Sequence, residues 1–456
     1  MIKVEPASIQ AYQLFHDGAI ALSSATANGI HIDVDYCIKQ EKHLERRIRY
    51  SRRKIEGTEI GKKWKKKYKS NFNLDSDDQM GDILFNEFDY EPQVRTEKGN
   101  ASVSQAALEQ LDIPIVEEIL ELRRLSKAKN TYLKAYIREA VDGFLHPFYH
   151  LDRLITYRSS SSKINFQNQP TRIPMIKKIV RRAVIPRPGH LIVEIDYSGA
   201  EVRVATCYHE DPEMIDEINN PEKDMHRDMA MKCYRLSLEE VDKITRYCGK
   251  NKFVFPEFYG SYYPNVAKDL WNAIKIMNLK TAQGLPLMKH LKKKGVGTYD
   301  KFEKHIEEVE AFFWGEKFPI YAQWKRDWYD AYLERGYFFM KTGFKCSGEM
   351  KMNEVVNYPV QGAAFHCLLW AFIQMTNWME KNNLRSKMIG QIHDSMVLDI
   401  HPNELHKVLR MAKYIMTKKI REHYPWLIVP MEVEFEASPL DGSWYLKKEI
   451  FPHDCS

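Results

Sequence analysis

The run Leu191-Ile192-Val193-Glu194-Ile195 does most to narrow what this chain can fold into. It is short and mostly β-branched, it is entered from a Pro186–Gly189 turn, and it stops at Asp196. Such a run reads as a buried strand, too brief for a helix. A matching pattern lies near the other end of the chain, where Met388–Ile392 and Met396–Ile400 flank His393-Asp394-Ser395 as strand, turn and strand. A last strand pattern runs through Val429–Phe435. Elsewhere the texture is helical. Val34 to Glu139 reads as long amphipathic helices, with Tyr36–Tyr68 charge-laced and Ile115–Tyr136 apolar at helical spacing. Residues 213–345 return to helix, rich in Lys, Trp and Tyr. Leu154, Ile155 and Tyr157 suggest one further strand, closed by a four-serine turn at Ser159–Ser162. The expected class is mixed α/β (α+β).

A chain of 456 residues allows about two or three domains and a large core. Its net charge of +6 is unevenly spread. Between Glu41 and Ser70 stand 13 Lys/Arg and 4 Asp/Glu, a local +9, so the remaining residues are slightly acidic. A basic block on a near-neutral body fits a polyanionic partner. Mean hydropathy is −0.50. The longest apolar stretch, Ala363–Met375, is broken by His366 and falls short of the ~18–20 residues of a membrane span. The first residues show no basic-then-apolar leader, and seven Cys without a CxxC pair argue against a disulfide framework or a Cys-rich zinc site. A soluble protein of a reducing, cytoplasmic compartment is expected, with no membrane partner.

Asp196 and Asp394 each stand where an apolar strand stops. A carboxylate there is held by a sheet yet reaches solvent, and two such groups on neighbouring strands suit a pair of Mg²⁺ ions ~3.5–4 Å apart. Taken singly, each is equally an ordinary strand-end turn former.

The surroundings narrow the choice. Asp196-Tyr197-Ser198-Gly199-Ala200-Glu201-Val202-Arg203, then Arg246-x-x-x-Lys250 with Phe255 and Tyr259-Gly260, then Gln391-Ile392-His393-Asp394 resemble motifs A, B and C of the family A (polymerase I-like) DNA polymerases, in order. Thr156-Tyr157-Arg158, the stretch Asn165-Phe166-Gln167-Asn168-x-Pro170-x-Arg172, Asp224-Met225-His226-Arg227 and Asn357-Tyr358-Pro359-Val360-Gln361-Gly362 resemble further family signatures. Asn73-Leu74-x-Ser76 with Gln79 resembles a thumb signature.

The resemblance implies a right-hand fold with an antiparallel-sheet palm and mostly helical thumb and fingers. Residues 1–150 would hold the N-terminal segment and thumb, 151–235 the first part of the palm, 236–344 the fingers and 345–456 the rest of the palm. It implies a two-metal-ion transfer of dNTPs to a primer 3′ end, with Asp196 and Asp394 holding two Mg²⁺, for which Mn²⁺ is a possible substitute. Arg246, Lys250 and His226 would meet the triphosphate, Lys250 serving also as general acid for pyrophosphate. Phe255 and Tyr259 would stand at the sugar and nascent base pair, and Glu201 would be the steric gate against a ribose 2′-hydroxyl. Arg158, Asn165, Gln167, Asn168, Arg172, Asn357, Gln361 and His393 would line the primer–template DNA. Lys62, Lys63, Lys65 and Lys66, interleaved with Trp64 and Tyr68, would grip duplex phosphates from the thumb.

Departures from the pattern carry their own expectations. Lys250 to Tyr259 is one residue longer than usual and contains Pro256, so a kink or bulge is expected near Val254–Phe255, with Phe255 favoured over Phe253 at the sugar. Gly199-Ala200 replaces the usual Gln-Ile, and Ser395 replaces the usual Glu. His-Asp-Ser is also the phage-type RNA polymerase pattern, which keeps RNA synthesis open as an alternative, along with a catalytically silent primer–template subunit. Thumb-like sequence begins by about residue 20, so no 3′→5′ exonuclease domain is expected in this chain; a separate exonuclease or processivity subunit is a possible partner. The compact form points to a phage-type member.

Overall fold

The computed structural model describes residues 2–92, 94–96, 99–111, 113–171 and 173–451. A five-stranded antiparallel sheet lies at its centre, in the order β5-β4-β1-β3-β2. Here β1 is Leu191–Tyr197, β2 Lys387–Ile392, β3 Ser395–Ile400, β4 Val433–Ala437 and β5 Lys448–Glu449. The strands expected at Leu191–Ile195, Met388–Ile392, Met396–Ile400 and Val429–Phe435 all fall in this sheet. The last begins later than its apolar pattern because Pro430 has no N–H to give a ladder.

Side chains alternate across this sheet, so its two faces serve two cores. Val193, Ile195, Tyr197, Met396, Leu398 and Phe435 enter the larger core with the 30-residue helix Met352–Lys381. Ile192, Ile389 and Val397 enter the smaller core with the helices Val34–Gly57 and Pro114–Lys127, and with the fully buried Trp64 and Trp444. Gly57 and Thr58 break the charge-laced stretch into two helices; the Thr58 hydroxyl accepts the Gly61 N–H at 3.0 Å and caps Glu59–Tyr68.

The N-terminal helix Ile9–Asn28 packs with the larger core through Leu14 and Leu22, apart from the helices that follow it in sequence. Two local expectations are corrected. Leu154 and Ile155 form an exposed turn, and the serines instead make the strand Ser160–Ser162, paired with Phe148–His150. Tyr157 adopts φ +52, which ends any extended run there, and His150 Nε2 bonds the Ser162 hydroxyl across the pair at 2.7 Å. The helical region also stops early, at Arg335, where Gly336 at φ +75 terminates the helix; the strands Tyr337–Phe339 and Phe344–Ser347 then join Lys3–Pro6 in a second sheet. Among the described residues, no helix is long and apolar enough to cross a membrane.

Candidate active site

Asp196 lies at the end of β1, opposite Ser395 on β3 and Glu434 on β4. Asp394 occupies the two-residue turn between β2 and β3, and its carbonyl accepts the Tyr197 N–H at 3.3 Å. The sheet thus brings both carboxylates to one 480 Å³ cavity. Burial, then the neighbouring charges of Asp394, Glu194 and Glu434, push the Asp196 carboxyl up to about 7.

Glu201 and Arg158 close one side of this cavity. Arg158 reaches Glu201 at 3.1 Å and Asp394 at 3.3 Å, while the Tyr259 hydroxyl donates to Glu201 at 2.6 Å. Glu201 is raised by burial, against the pull of Tyr259 and Arg158. Gly199 at φ +63 makes the sharp turn from β1 into the helix Ala200–His209, which aims Glu201 back at the cavity.

Lys250, Phe255 and Tyr259 line the same cavity. The extra residue between Lys250 and Tyr259 is absorbed as a widened turn over Gly249–Val254, where the Phe255 N–H reaches the Lys250 carbonyl five residues back. Phe253 consequently turns into the core against Phe313, and Phe255 faces the cavity. Asn357 from the long helix donates to the Tyr259 carbonyl at 3.3 Å. Gly260 at φ +85 lies so near Asn353 that a Cβ would meet Asn353 Oδ1 at 2.4 Å.

Arg246 and Lys250, one helical turn apart, share a neighbouring 740 Å³ cavity with His226. Arg246 Nε donates to Asp224 at 2.6 Å; burial alone would raise that carboxyl, but Arg246 and the Arg227 N–H hold it low. His226 packs edge-on to Phe255, and burial followed by Lys250 and Arg246 lowers it to about 4, so it is neutral at physiological pH. A third groove gathers Arg158, Asn165, Gln167, Asn168, Gln361 and His393. Arg172 lies outside the described residues.

The basic helix behaves differently from its linear reading. Lys63 pairs with Glu87 at 3.0 Å, Lys65 with Glu56 at 2.9 Å, and Lys67 with Asp82 at 2.6 Å, whereas Lys62 and Lys66 are exposed and have no ion pair among the described residues. Trp64 is fully buried, with its indole N–H on Gln79 at 3.0 Å, so it is a core residue and no stacking platform. Sequence reasoning also passed over Glu434, although Glu434 and Glu436, two apart on β4, share one of its faces.

The donor set suits Mg²⁺. Both groups are carboxylates, and acidic neighbours raise Asp196. Among the described residues, no three His, Cys, Asp or Glu converge to cage an ion. Mg²⁺ is characteristically held by one or two carboxylates, with water and substrate phosphates completing its shell.

Comparison with known proteins agrees with this geometry. Thermostable DNA polymerase I of Thermus aquaticus is 30% identical over 379 residues, 80% of this chain and 41% of that protein. The DNA polymerase of Bacillus phage SP01 is 26% identical over 484 residues, 92% of this chain and 49% of that protein. The chain therefore spans less than half the length of either relative. In fold it resembles the polymerase domain of Pol1 from M. smegmatis, solved with DNA primer–template and dNTP, at TM-score 0.76 and 20% identity over 95% of this chain and 70% of that one. The family model for DNA polymerase family A matches residues 41–444, and the chain belongs to that family.

Proposed function

We propose that this chain is a template-directed DNA polymerase that adds dNTPs to a primer 3′ end by two-metal-ion transfer. The observation that carries this reading is the meeting of Asp196 and Asp394 in one cavity with Lys250, Phe255, Tyr259 and Glu201. The primer 3′-hydroxyl attacks the α-phosphorus of the dNTP and gives its proton to water, while the α–β phosphoanhydride bond breaks and pyrophosphate leaves. Asp196 and Asp394 would hold two Mg²⁺, or Mn²⁺ in their place, which supply Lewis-acid activation of the hydroxyl and neutralise charge on the leaving group.

The chain's own groups orient the rest. Lys250 and Arg246 face the triphosphate, neutral His226 donates or accepts a hydrogen bond there, and Lys250 hands a proton to departing pyrophosphate. Phe255 packs at the sugar, and Tyr259 covers the templating position. Arg158 leaves Asp394 when it turns to the minor groove, alongside Asn165, Asn168, Asn357, Gln361 and His393, where donors meet acceptors common to every correct pair. Residues 1–150 serve as N-terminal segment and thumb, 151–235 and 345–456 as palm, and 236–344 as fingers.

A labelled primer on a DNA template, supplied with dNTPs or with NTPs and Mg²⁺, tests the reading. Extension with dNTPs supports it, extension with NTPs alone would assign RNA synthesis, and no extension would leave a silent subunit. Withholding nucleotides then reads the exonuclease: an intact primer is expected, and 3′ degradation would place that activity in this chain.

Two further outcomes are expected. Proton and metal compete for Asp196, whose carboxyl titrates near 7, so the Mg²⁺ concentration for half-maximal extension rises as pH falls through 7 and levels off above it. A flat Mg²⁺ requirement from pH 6 to 8.5 would contradict this, and titrations at fixed pH measure it. On the thumb, the Lys62→Ala/Lys66→Ala pair weakens duplex binding on every sequence and lowers the salt slope by about 2, whereas Lys63→Ala/Lys65→Ala has a smaller effect because those cations already face Glu87 and Glu56. Duplex Kd against salt separates the pairs.

A further inference from the structure

Next to the His393–Asp394 turn, residues of two distant stretches, 149–167 and 391–393, share one hydrogen-bond network. Gln391 is 1% exposed, Ser159 6% and Gln167 8%. The Ser159 hydroxyl and the Gln167 amide N–H both donate to Gln391 Oε1, each at 2.5 Å. The Gln391 amide N–H donates in turn to the His393 carbonyl at 2.5 Å, and its backbone N–H donates to the Tyr149 hydroxyl at 3.2 Å.

His393 sits at φ +49, a conformation that a residue with a Cβ keeps only when its surroundings hold it. A primary amide has one accepting and one donating end. With two donors fixed on the Gln391 oxygen, its N–H end has a single direction left, toward the carbonyl that precedes Asp394. Gln167 therefore spends its amide inside the protein, in place of the direct DNA contact that the family resemblance implies.

We propose that Gln391, oriented by Gln167 and Ser159, is a positioning residue that fixes the His393–Asp394 turn and so the direction of the Asp394 carboxylate. This rests on the polymerase reading and adds a supporting layer to its site. A catalytic carboxylate misplaced by ~1 Å costs up to about 100-fold in rate, without any lost contact to DNA or nucleotide.

The test compares Gln391→Met, Gln167→Met and their double variant with the wild-type chain, by kcat, dNTP KM, duplex Kd without metal, and Tm. Each single variant is expected to lower kcat roughly 10- to 100-fold, with dNTP KM and duplex Kd within about twofold. The double variant should lose no more than about threefold beyond the worse single one, because both act through one bridge. Ser159→Ala removes one donor and leaves both glutamines, so it gives a smaller kcat loss of the same kind even where a Met variant lowers Tm. An unchanged kcat in all variants overturns the proposal. A Gln167→Met variant that weakens duplex binding at full kcat returns Gln167 to direct contact, and multiplied losses in the double variant break the bridge. If the wild-type chain extends primers, these failures sink only this inference; if it does not, the polymerase reading falls as well.

Discussion

Asp196→Ala and Asp394→Ala each lower primer extension by roughly 10³-fold or more, while duplex affinity stays within about twofold of wild type. The size follows from what the two side chains alone contribute. They are the carboxylates that β1 and the β2–β3 turn bring to the cavity, and among the described residues no third His, Cys, Asp or Glu is grouped with them so as to hold a metal ion. Losing either removes half of the protein's donor set. DNA affinity survives because the proposed duplex contacts lie in the adjoining groove and on the thumb. Folding survives too, and removing the Asp196 carboxylate stabilises the metal-free fold at high pH. Its carboxyl titrates near 7 in the fold against an ordinary 3.8, so the native state loses stability as pH rises from about 4 through 7. Asp196→Asn should therefore raise the Tm of the metal-free protein at pH 8 and change it little at pH 4. A lower Tm at pH 8 would show that the carboxylate is structural.

Glu201→Ala admits ribonucleotides, reducing dNTP/NTP discrimination by roughly 10- to 100-fold. That is the range expected when a well-packed site no longer has to accommodate one extra group. Glu201 is held from two sides, by Arg158 at 3.1 Å and by the Tyr259 hydroxyl at 2.6 Å, so it cannot swing aside for a 2′-hydroxyl. Tyr259→Phe removes that hydroxyl and leaves the Glu201 bulk in place. It should relax discrimination less than Glu201→Ala does, because Arg158 still restrains the carboxylate. Ratios of kcat/KM for each dNTP and its ribonucleotide measure both. Discrimination in Glu201→Ala equal to wild type would remove the gate from this residue.

The parts of this structure legible in the sequence are those written in short-range pattern. Leu191–Ile195 and the two halves of the His393–Asp394 hairpin show their strands by apolar runs bounded by turn residues; Asp196 follows the first run, and Asp394 stands between the other two. The additional residue before Tyr259, with Pro256 beside it, announces a bulge, and the widened turn at Gly249–Val254 is that bulge. What stayed hidden depends on partners distant in sequence. Lys63, Lys65 and Lys67 look like a bare cationic ridge until Glu56, Asp82 and Glu87 fold against them. Trp64 looks like one more residue of that ridge until its burial, with the indole N–H on Gln79, shows it to be core. Gln167 lies in a motif whose resemblance points to DNA, and only the approach of Gln391 from residues far along the chain shows where its amide goes. Ser160–Ser162 has the composition of a turn and becomes a strand because Phe148–His150 pairs with it.

Template-directed addition at the Asp196–Asp394 site is measured most directly by offering each dNTP singly, with Mg²⁺, to a primer ending before each of the four template bases. The polymerase reading requires one-nucleotide addition of the complementary dNTP in each case, lost in Asp394→Ala. Addition without regard to the template base, or no addition by the wild-type chain with any dNTP, would contradict it.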